Sequence, residues 1–169
     1  MDDALTELAR LAYFMLPAWL ANMAPPFARF WPGWNRPIHR ESLGDHKTVI
    51  GFAFALVVGF VAVAAQAITV PPAFWRSPDH WPWLGLAFGL GTAGGDAVKS
   101  LVKRRLHRPP GASWIPFDQL DFVAGSLLLA APLVRLSPWN VIAILAMTFV
   151  ADLLVNRLAF KLRIKRTPW

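Results

Sequence analysis

Two long apolar stretches constrain the fold of this chain more than any other feature of its sequence. One runs from Val49 to Val70 and the other from Pro138 to Phe160. The second stretch also carries amide and charged side chains, at Asn140, Asp152, Asn156 and Arg157. Because a helix rises about 1.5 Å per residue, about 20 apolar residues cross the roughly 30 Å hydrocarbon core of a bilayer. Both stretches are therefore predicted to be transmembrane helices.

Three further apolar stretches are shorter or irregular. Leu5 to Phe30 contains three prolines, which predict a kinked helix followed by an irregular turn. Trp83 to Val98 is short and glycine-rich, and Phe122 to Leu136 is also short, so each spans only if charged ends extend it. The sequence thus predicts an all-α, polytopic integral membrane protein with about five transmembrane helices. No internal repeat is found, and residues 1–169 are predicted to form a single transmembrane domain.

The composition excludes most soluble architectures. Hydrophobic residues make up 56% of the 169 residues and charged residues 16%, whereas a soluble domain carries about 25% charged residues. Nine tryptophans, 12 phenylalanines and 15 prolines exclude intrinsic disorder and a simple coiled coil. The chain has no cysteine, which excludes disulfides and thiolate chemistry. A net charge of +7 indicates contact with the anionic lipid bilayer or with phosphate, and no nucleic-acid partner is expected.

Basic residues concentrate after the first, third and fifth predicted spans. They are Arg36, Arg40, Lys47, Lys103, Arg104, Arg105, Arg108, Lys161, Arg163, Lys165 and Arg166. With five spans these three segments share one face, and the face rich in Lys and Arg is usually cytoplasmic. We therefore predict a multi-pass protein of the cell (inner or plasma) membrane whose candidate site faces the cytoplasm.

The densest polar segment follows the glycine-rich stretch. Asp96, Lys99 and Lys103 are spaced i, i+3, i+7 and lie on one helical face. Ser100 and Arg104 lie on the adjoining stripe. A charge at the centre of a transmembrane helix costs at least about 2.5 kcal/mol, so such residues need a reason to be there. The spacing predicts that an acid and two or three cations face one place.

Two more carboxylates stand at the start of the fourth span. Asp118 and Asp121 are spaced i, i+3, so both point the same way. Together with Asp96 they indicate a site for a divalent metal with phosphates, because Mg²⁺ commonly uses one or two carboxylates plus substrate phosphates. Structural interpretations stay open for the same residues. Residues 103–108 also suit a positive-inside anchor, Asp118 an N-cap, and Asp96 an ion pair with Lys99 or Lys103.

A second polar cluster precedes the second span. Asp45, Lys47 and Thr48 offer an acceptor, a cation and a hydroxyl near a helix N-terminus, where amide groups favour anions. Helix capping and interfacial anchoring explain these residues equally well.

The string from Gly89 to Gly94 matches the dinucleotide fingerprint GxGxxG. No strand precedes it and no βαβ unit surrounds it, so a Rossmann site is rejected. Gly85, Gly89, Gly91 and Gly95 fit small-xxx-small spacing instead, which predicts close approach of another helix. Because such packing occurs both within one chain and between chains, the glycine spacing is compatible with a monomer and with an oligomer.

Four segments together resemble a known family: LPAWLANMAP, LGDHKTVIG, GDAVKSLVKRR and PFDQLDFVAGSLL. The chain is similar to CTP-dependent cytidylyltransferases that activate lipid phosphates, and most similar to the CDP-archaeol synthase branch of that family. The pattern GDxxxSxxKR followed by DxxD also resembles the signature of phosphatidate cytidylyltransferases. That larger family carries a Lys-Asp pair and a His-Gly-Gly element where this chain has residues 108–113, which favours the smaller branch.

The resemblance implies that CTP and a membrane lipid phosphate, archaeol-type or phosphatidate-like, give a CDP-lipid and pyrophosphate. It assigns Mg²⁺ to three carboxylates, Asp96, Asp118 and Asp121. It assigns phosphate groups to Lys99, Ser100, Lys103 and Arg104, and closure of the site to Asp45, Lys47 and Thr48. The implied catalytic set is Asp96, Lys103, Asp118 and Asp121.

Two rival functions remain at this point. A different lipid-phosphate transferase, such as a CDP-alcohol phosphotransferase, ranks lower because its many-aspartate helix signature is absent. A non-catalytic scaffold or transporter subunit would use the same charges as interhelical pairs and anchors. The lipid itself is not readable from the sequence.

Overall fold

A computed structural model describes residues 2–108 and 112–163 of the chain. Within these ranges the regular secondary structure is helical, and the β-type contacts are isolated bridges, Pro37 with Thr48 and Trp75 with Val134. The α-helices are α1 (Asp2–Met23), α2 (Arg40–Leu43), α3 (Val49–Ile68), α4 (Trp81–Arg105), α5 (Phe117–Ala130) and α6 (Pro138–Lys161). The all-α prediction is confirmed for these residues. Lys165 and Arg166 of the basic tail lie outside the described residues, as do residues 109–111.

A helix lies at each predicted span, although several ends differ, and α5 ends at Ala130, six residues before the predicted end at Leu136. α4 continues to Arg105, well beyond the predicted end at Val98, and α5 begins at Phe117, more than a turn early. Hydropathy misplaces such ends because polar residues are also helical. Lys and Arg are good helix formers and extend α4 past its last apolar residue, and α5 begins with a turn that contains Asp118 and Asp121. Two of the helical stretches, Val49–Ile68 and Pro138–Leu158, are long and apolar enough to cross a bilayer.

The prolines of the first span act differently from one another. Pro17 lies within α1, which continues to Met23, and a 3-10 helix then covers Pro25–Phe30. Pro25 and Pro26 end the α-helix because proline has no N–H to donate and its ring clashes with the preceding turn. The predicted break after the first helix is confirmed.

Local hydrogen bonds define where the two most apolar helices begin. The Thr48 hydroxyl accepts a hydrogen bond from the Gly51 N–H at 3.1 Å and caps α3. Ser137 and Asn140 form a capping box at the start of α6. Such caps satisfy N–H groups that lack a partner within the helix and stabilise it by about 1 kcal/mol. Thr48 therefore has a structural role at the edge of the candidate site.

Helix α4 packs closely against α3 on one side and α5 on the other, through its glycines. A Cβ atom at Gly89 would lie 2.7 Å from the Leu56 Cα of α3, and one at Gly91 would lie 2.6 Å from the Ser126 Cα of α5. The segment from Gly89 to Gly94 is thus helical and part of a helix interface. The rejection of a Rossmann site is confirmed, and so is the small-residue packing.

The core lies where α1, α4 and α5 meet, and the outer faces are apolar as well. Phe14 makes edge contacts with Phe74 and Phe88, with ring centroids 5.6 and 5.4 Å apart. On the outer faces of α3 and α6, Val61 and Leu154 are each about 60% exposed. Helices that present apolar side chains both inward and outward suit a hydrocarbon surrounding rather than water.

Candidate functional site

Three carboxylates surround the ammonium group of Lys99. Its Nζ atom lies 3.1 Å from Asp96 Oδ1, 3.3 Å from Asp118 Oδ1 and 2.7 Å from Asp121 Oδ2. Asp96 and Lys99 come from adjacent turns of α4, whereas the other two carboxylates come from the first turns of α5. The predicted meeting of these side chains therefore occurs, with a lysine at its centre.

A second lysine, Lys47, reaches this cluster from the loop before α3, which comprises residues 44–48. The loop is held by hydrogen bonds from the Ile38 N–H to the Lys47 carbonyl at 2.8 Å and from the Val49 N–H to the Arg36 carbonyl at 3.0 Å. Its Lys47 ammonium forms an ion pair with Asp96. Burial, reinforced by the nearby Lys99 ammonium, lowers the pKa of Lys47 to about 8. At neutral pH the side chain is still mostly charged, so this pair ties the loop to α4.

Lys103 joins the end of α4 to the start of α5. Its Nζ donates to both oxygens of Asp118, at 2.8 and 3.0 Å, and to the Ala112 carbonyl at 2.6 Å. Asp118 also accepts a hydrogen bond from the Trp114 N–H at 2.6 Å. The N-cap position of α5 is Pro116, so Asp118 binds the preceding loop rather than capping the helix.

The cluster is electrically balanced and largely buried. The lysines are Lys47, Lys99 and Lys103, and the acids are Asp96, Asp118 and Asp121. The Asp121 side chain is 6% exposed and that of Lys99 15%. Removing one partner from a buried ion pair costs several kcal/mol, because it leaves a charge without compensation. Each charge is thus held in place by its neighbours, which gives the site a defined geometry before any ligand binds.

Other predicted site residues lie beside the cluster. Asp45 pairs with Arg40 at 3.1 Å on the surface, where both side chains are about 75% exposed. Arg104 passes over Gly44, whose φ of +84° and missing side chain leave room for the guanidinium. Ser100 donates its hydroxyl proton to the Asp96 carbonyl at 2.8 Å. Asp45 and Arg104 are therefore at the rim, and Thr48, directly after Lys47, caps α3.

Trp114 also lies at the site, although none of the sequence motifs pointed to it. Its ring packs against Phe117 at an interplanar angle of 38° with centroids 4.4 Å apart, and the Arg108 guanidinium lies 5.3 Å from its centroid. Its backbone N–H holds Asp118. Its position four residues before Asp118, in the loop between α4 and α5, is the sequence feature that could have indicated this role.

The three carboxylates offer the type of ligand that a Mg²⁺ ion requires. Among the described residues, no three acidic or histidine side chains are arranged to hold a metal ion as they stand. Asp96, Asp118 and Asp121 instead direct oxygens at the shared ammonium of Lys99. Carboxylate oxygens converging on one cation are the ligand type that Mg²⁺ prefers, so the donor chemistry fits the ion.

The whole structure is similar to a solved structure of an intramembrane enzyme for archaeal membrane lipids biosynthesis. The TM-score is 0.73 with 28% sequence identity, over 86% of this chain and 91% of the other. The helical fold, its apolar exterior and this likeness define the class: an intramembrane enzyme of lipid biosynthesis.

The family follows from the sequence comparisons. The family model described as CarS-like CDP-archaeol synthase matches residues 5–169, and the chain belongs to this family. It is 32% identical to the CDP-archaeol synthase of Methanopyrus kandleri, over 99% of this chain and 97% of the relative. It is 35% identical to that of Methanosphaerula palustris, over 92% of this chain and all of the relative. The resemblance drawn from the four segments is confirmed, and with it a CTP-dependent cytidylyltransferase of lipid biosynthesis.

Proposed function

We propose that this protein transfers the cytidylyl group of CTP to an archaeol-type lipid phosphate, giving a CDP-lipid and pyrophosphate. The observation that carries the proposal is the convergence of three lysines and three carboxylates from α4, α5 and the loop before α3. The relatives named CDP-archaeol synthases support the choice of lipid. The lipid phosphate is an inference from those relatives.

The reaction requires the enzyme to position the two phosphate groups and to neutralise their negative charge. An oxygen of the lipid phosphate forms a bond to the α-phosphorus of CTP. The bond from that phosphorus to the bridging oxygen of the β-phosphate breaks, and its electron pair leaves with pyrophosphate. The attacking phosphate is already ionised near neutral pH, so the protein needs no general base. Catalysis then rests on holding the reacting groups in line and on stabilising their charge.

The lysines of the cluster supply the positive charge for this task. Lys47, Lys99 and Lys103 would bind the triphosphate or the lipid phosphate, with Arg104 and Ser100 beside them. Mg²⁺, held by Asp96, Asp118 and Asp121, would neutralise phosphate charge. Asp45 and Thr48, on the loop that Lys47 ties to α4, would border the nucleotide from the cytoplasmic side.

The membrane arrangement is part of the same proposal. In it, α1, α3, α4, α5 and α6 are the five transmembrane helices of one domain. The basic loops support a cytoplasmic position for the charged cluster. α1 and α4 are less apolar than α3 and α6, and α5 is shorter than either. Each of these three helices packs against α3 or α6 in the bundle. A water-soluble nucleotide and a membrane-bound phosphate would meet at this boundary.

Labelled CTP tests the proposal directly. Purified protein is incubated with Mg²⁺, a panel of lipid phosphates, and CTP labelled at either the α- or the γ-phosphate. Cytidylyl transfer moves the α-label into the lipid fraction and leaves the γ-label in water-soluble pyrophosphate. Transfer of the γ-label to lipid would indicate a kinase, and no turnover with any lipid phosphate would favour the non-catalytic scaffold. A CDP-alcohol phosphotransferase would consume a CDP-lipid instead.

A further inference from the structure

A groove with a volume of about 760 Å³ runs along the outer side of the contact between α4 and α5. Its α4 wall extends from Leu90 to Val102, and its α5 wall extends from Phe117 to Leu129. Of the described residues that line it, only Lys99 and Asp121 carry a charge. The groove is therefore apolar except where it passes the charged cluster.

The groove opens towards the apolar exterior of the helices. Val98 and Leu128 on its walls are 60% and 75% exposed. From Asp121 to Leu129, α5 is about 12 Å long at the helical rise of 1.5 Å per residue. Half of the roughly 30 Å hydrocarbon core is about 15 Å. The apolar part of the groove thus matches the depth of one leaflet, with the charged cluster at one end.

Three glycines of α4 line this groove, and only two have a packing reason. A Cβ atom at Gly91 would lie 2.6 Å from the Ser126 Cα, and one at Gly95 would collide with the Asp121 carbonyl. A Cβ atom at Gly94 would have no atom within 4 Å. Glycine inside a helix costs about 0.5–1 kcal/mol relative to alanine. Helix packing does not explain this cost at Gly94, which borders open groove.

We infer that the groove binds a hydrocarbon chain of the lipid phosphate, and that Gly94 is a specificity-determining residue that keeps the groove open for this chain. The inference rests on the proposed function. Lys99 offers a positive charge where the groove meets the cluster, and the apolar walls continue from there into the leaflet. An amphiphile with one phosphate and long chains complements both parts. Gly94 lies about 7.5 Å along α4 from Lys99, on the path of the chain.

Adding a side chain at Gly94 fills space that the chain would use. In Gly94→Leu we expect the KM for a long-chain lipid phosphate to rise about tenfold or more, the scale on which an apolar site discriminates single carbon groups. Gly94→Ala adds one methyl group and should give a smaller rise. The KM for CTP should change by less than about twofold, since the nucleotide binds at the charged end.

Two substrates that differ in chain length distinguish binding of the hydrocarbon chain from binding of the phosphate. A methyl-ether glycerol phosphate has ether groups that end at or before Gly94, whereas an isoprenyl-ether lipid phosphate has chains that pass it. The rise in KM should be larger for the long-chain substrate. Ala65→Leu is the matched control, because it adds the same side chain to an exposed position of α3 outside the groove. Thermal unfolding of each variant in detergent establishes that it is folded.

The outcomes are distinct. A rise in KM confined to the long-chain substrate and absent from Ala65→Leu supports the inference. An unchanged KM in Gly94→Leu overturns it, as does an equal rise for CTP and for lipid. If Gly94→Leu does not fold, the KM of Gly94→Ala decides in the same way. If the wild-type protein forms no CDP-lipid at all, the proposed function fails, which the wild-type assay shows separately.

Discussion

The Lys99 Nζ lies 2.7 Å from Asp121 Oδ2, and this pair joins α4 to α5 at the point where the charged cluster meets the apolar groove. The two helices approach so closely here that Gly95 contacts the Asp121 backbone. Lys99 also contacts Asp96 and Asp118, so one ammonium balances carboxylates from both helices. The pair therefore serves helix packing and the proposed binding of phosphate and metal at once.

Replacing Asp121 tests the assignment of the carboxylates. Asp121→Asn keeps the shape of the side chain but removes its charge, and Lys99 keeps Asp96 and Asp118 as partners. We expect Mg²⁺-dependent formation of CDP-lipid to fall at least about a hundredfold, as when one preorganised electrostatic group is removed from an active site. Product formation at saturating CTP measures this, with circular dichroism to verify helix content.

Asp118→Asn is compared with Asp121→Asn in the same assay of CDP-lipid formation. The Asp118→Asn variant should also lose activity, and its melting temperature should fall further than that of Asp121→Asn. The reason is that Asp118 holds Lys103 and the Trp114 N–H, and hydrogen bonds to charged groups contribute about 1.5–3 kcal/mol each. Full activity in both variants would remove these carboxylates from the proposed site.

Lys99 is predicted to compete with divalent cations for the three carboxylates. In Lys99→Met the carboxylates lose their shared partner and repel one another, so the melting temperature should fall without added metal. Mg²⁺ should then raise the melting temperature of this variant by more than it raises that of the wild-type protein. Thermal unfolding in detergent with and without Mg²⁺ measures the two shifts.

Two controls accompany the Lys99 experiment. KCl at matched ionic strength accounts for general screening of charge, and Lys99→Arg keeps the positive charge. A Mg²⁺-induced shift in Lys99→Met that is equal to or smaller than the wild-type shift would contradict metal binding by these carboxylates.

The loop before α3 contains two charged residues with different expected effects. Lys47 pairs with the buried cluster, whereas Asp45 pairs with Arg40 on the surface. Lys47→Met should raise the KM for CTP about tenfold or more, because it removes a charge-assisted contact and releases the loop. Asp45→Asn should change that KM by less than about twofold, since exposed pairs contribute little. Steady-state kinetics with varied CTP compares them, and an equal effect would mean that Asp45 contacts the nucleotide directly instead of bordering it.

Two glycine-to-alanine substitutions test how α4 and α5 pack. A Cβ atom at Gly125 would collide with the Gly91 carbonyl, whereas one at Gly94 meets nothing. Gly125→Ala should destabilise the fold by about 1–3 kcal/mol through overpacking. Gly94→Ala should be neutral or stabilise it by about 0.5–1 kcal/mol, from helix propensity. Melting temperatures measure both, and equal destabilisation would contradict the observed interface.

Cysteine labelling tests the proposed orientation, because the natural chain contains no cysteine to give a background signal. Arg105→Cys lies at the end of α4 on the basic face, and Asp79→Cys lies before the start of α4 at the opposite end. An impermeant thiol reagent added outside intact cells should label Asp79→Cys and leave Arg105→Cys unlabelled until the membrane is opened. The reverse pattern would invert the topology.

Much of the fold could be predicted because its signals are local. The apolar stretch from Val49 and the one from Pro138 each form a long helix, and the prolines after Met23 end the first helix as expected. The i, i+3 spacing of Asp96 and Lys99 also places them on one helical face, where they pair, one of the two pairings that the sequence left open. Each of these features depends on neighbours within one or two turns, which sequence spacing determines.

The sequence by itself determined the helical class, the family and the set of charged residues near one end of the helices. Only the tertiary structure decided that Lys99 sits among all three carboxylates, that Lys47 reaches Asp96 from a distant loop, and that Asp45 stays on the surface. Helical periodicity determines which side chains share a face, but the meeting of two faces depends on how closely the helices pack. Here the glycines of α4 and α5 set that distance, and they also leave open the groove beside Gly94.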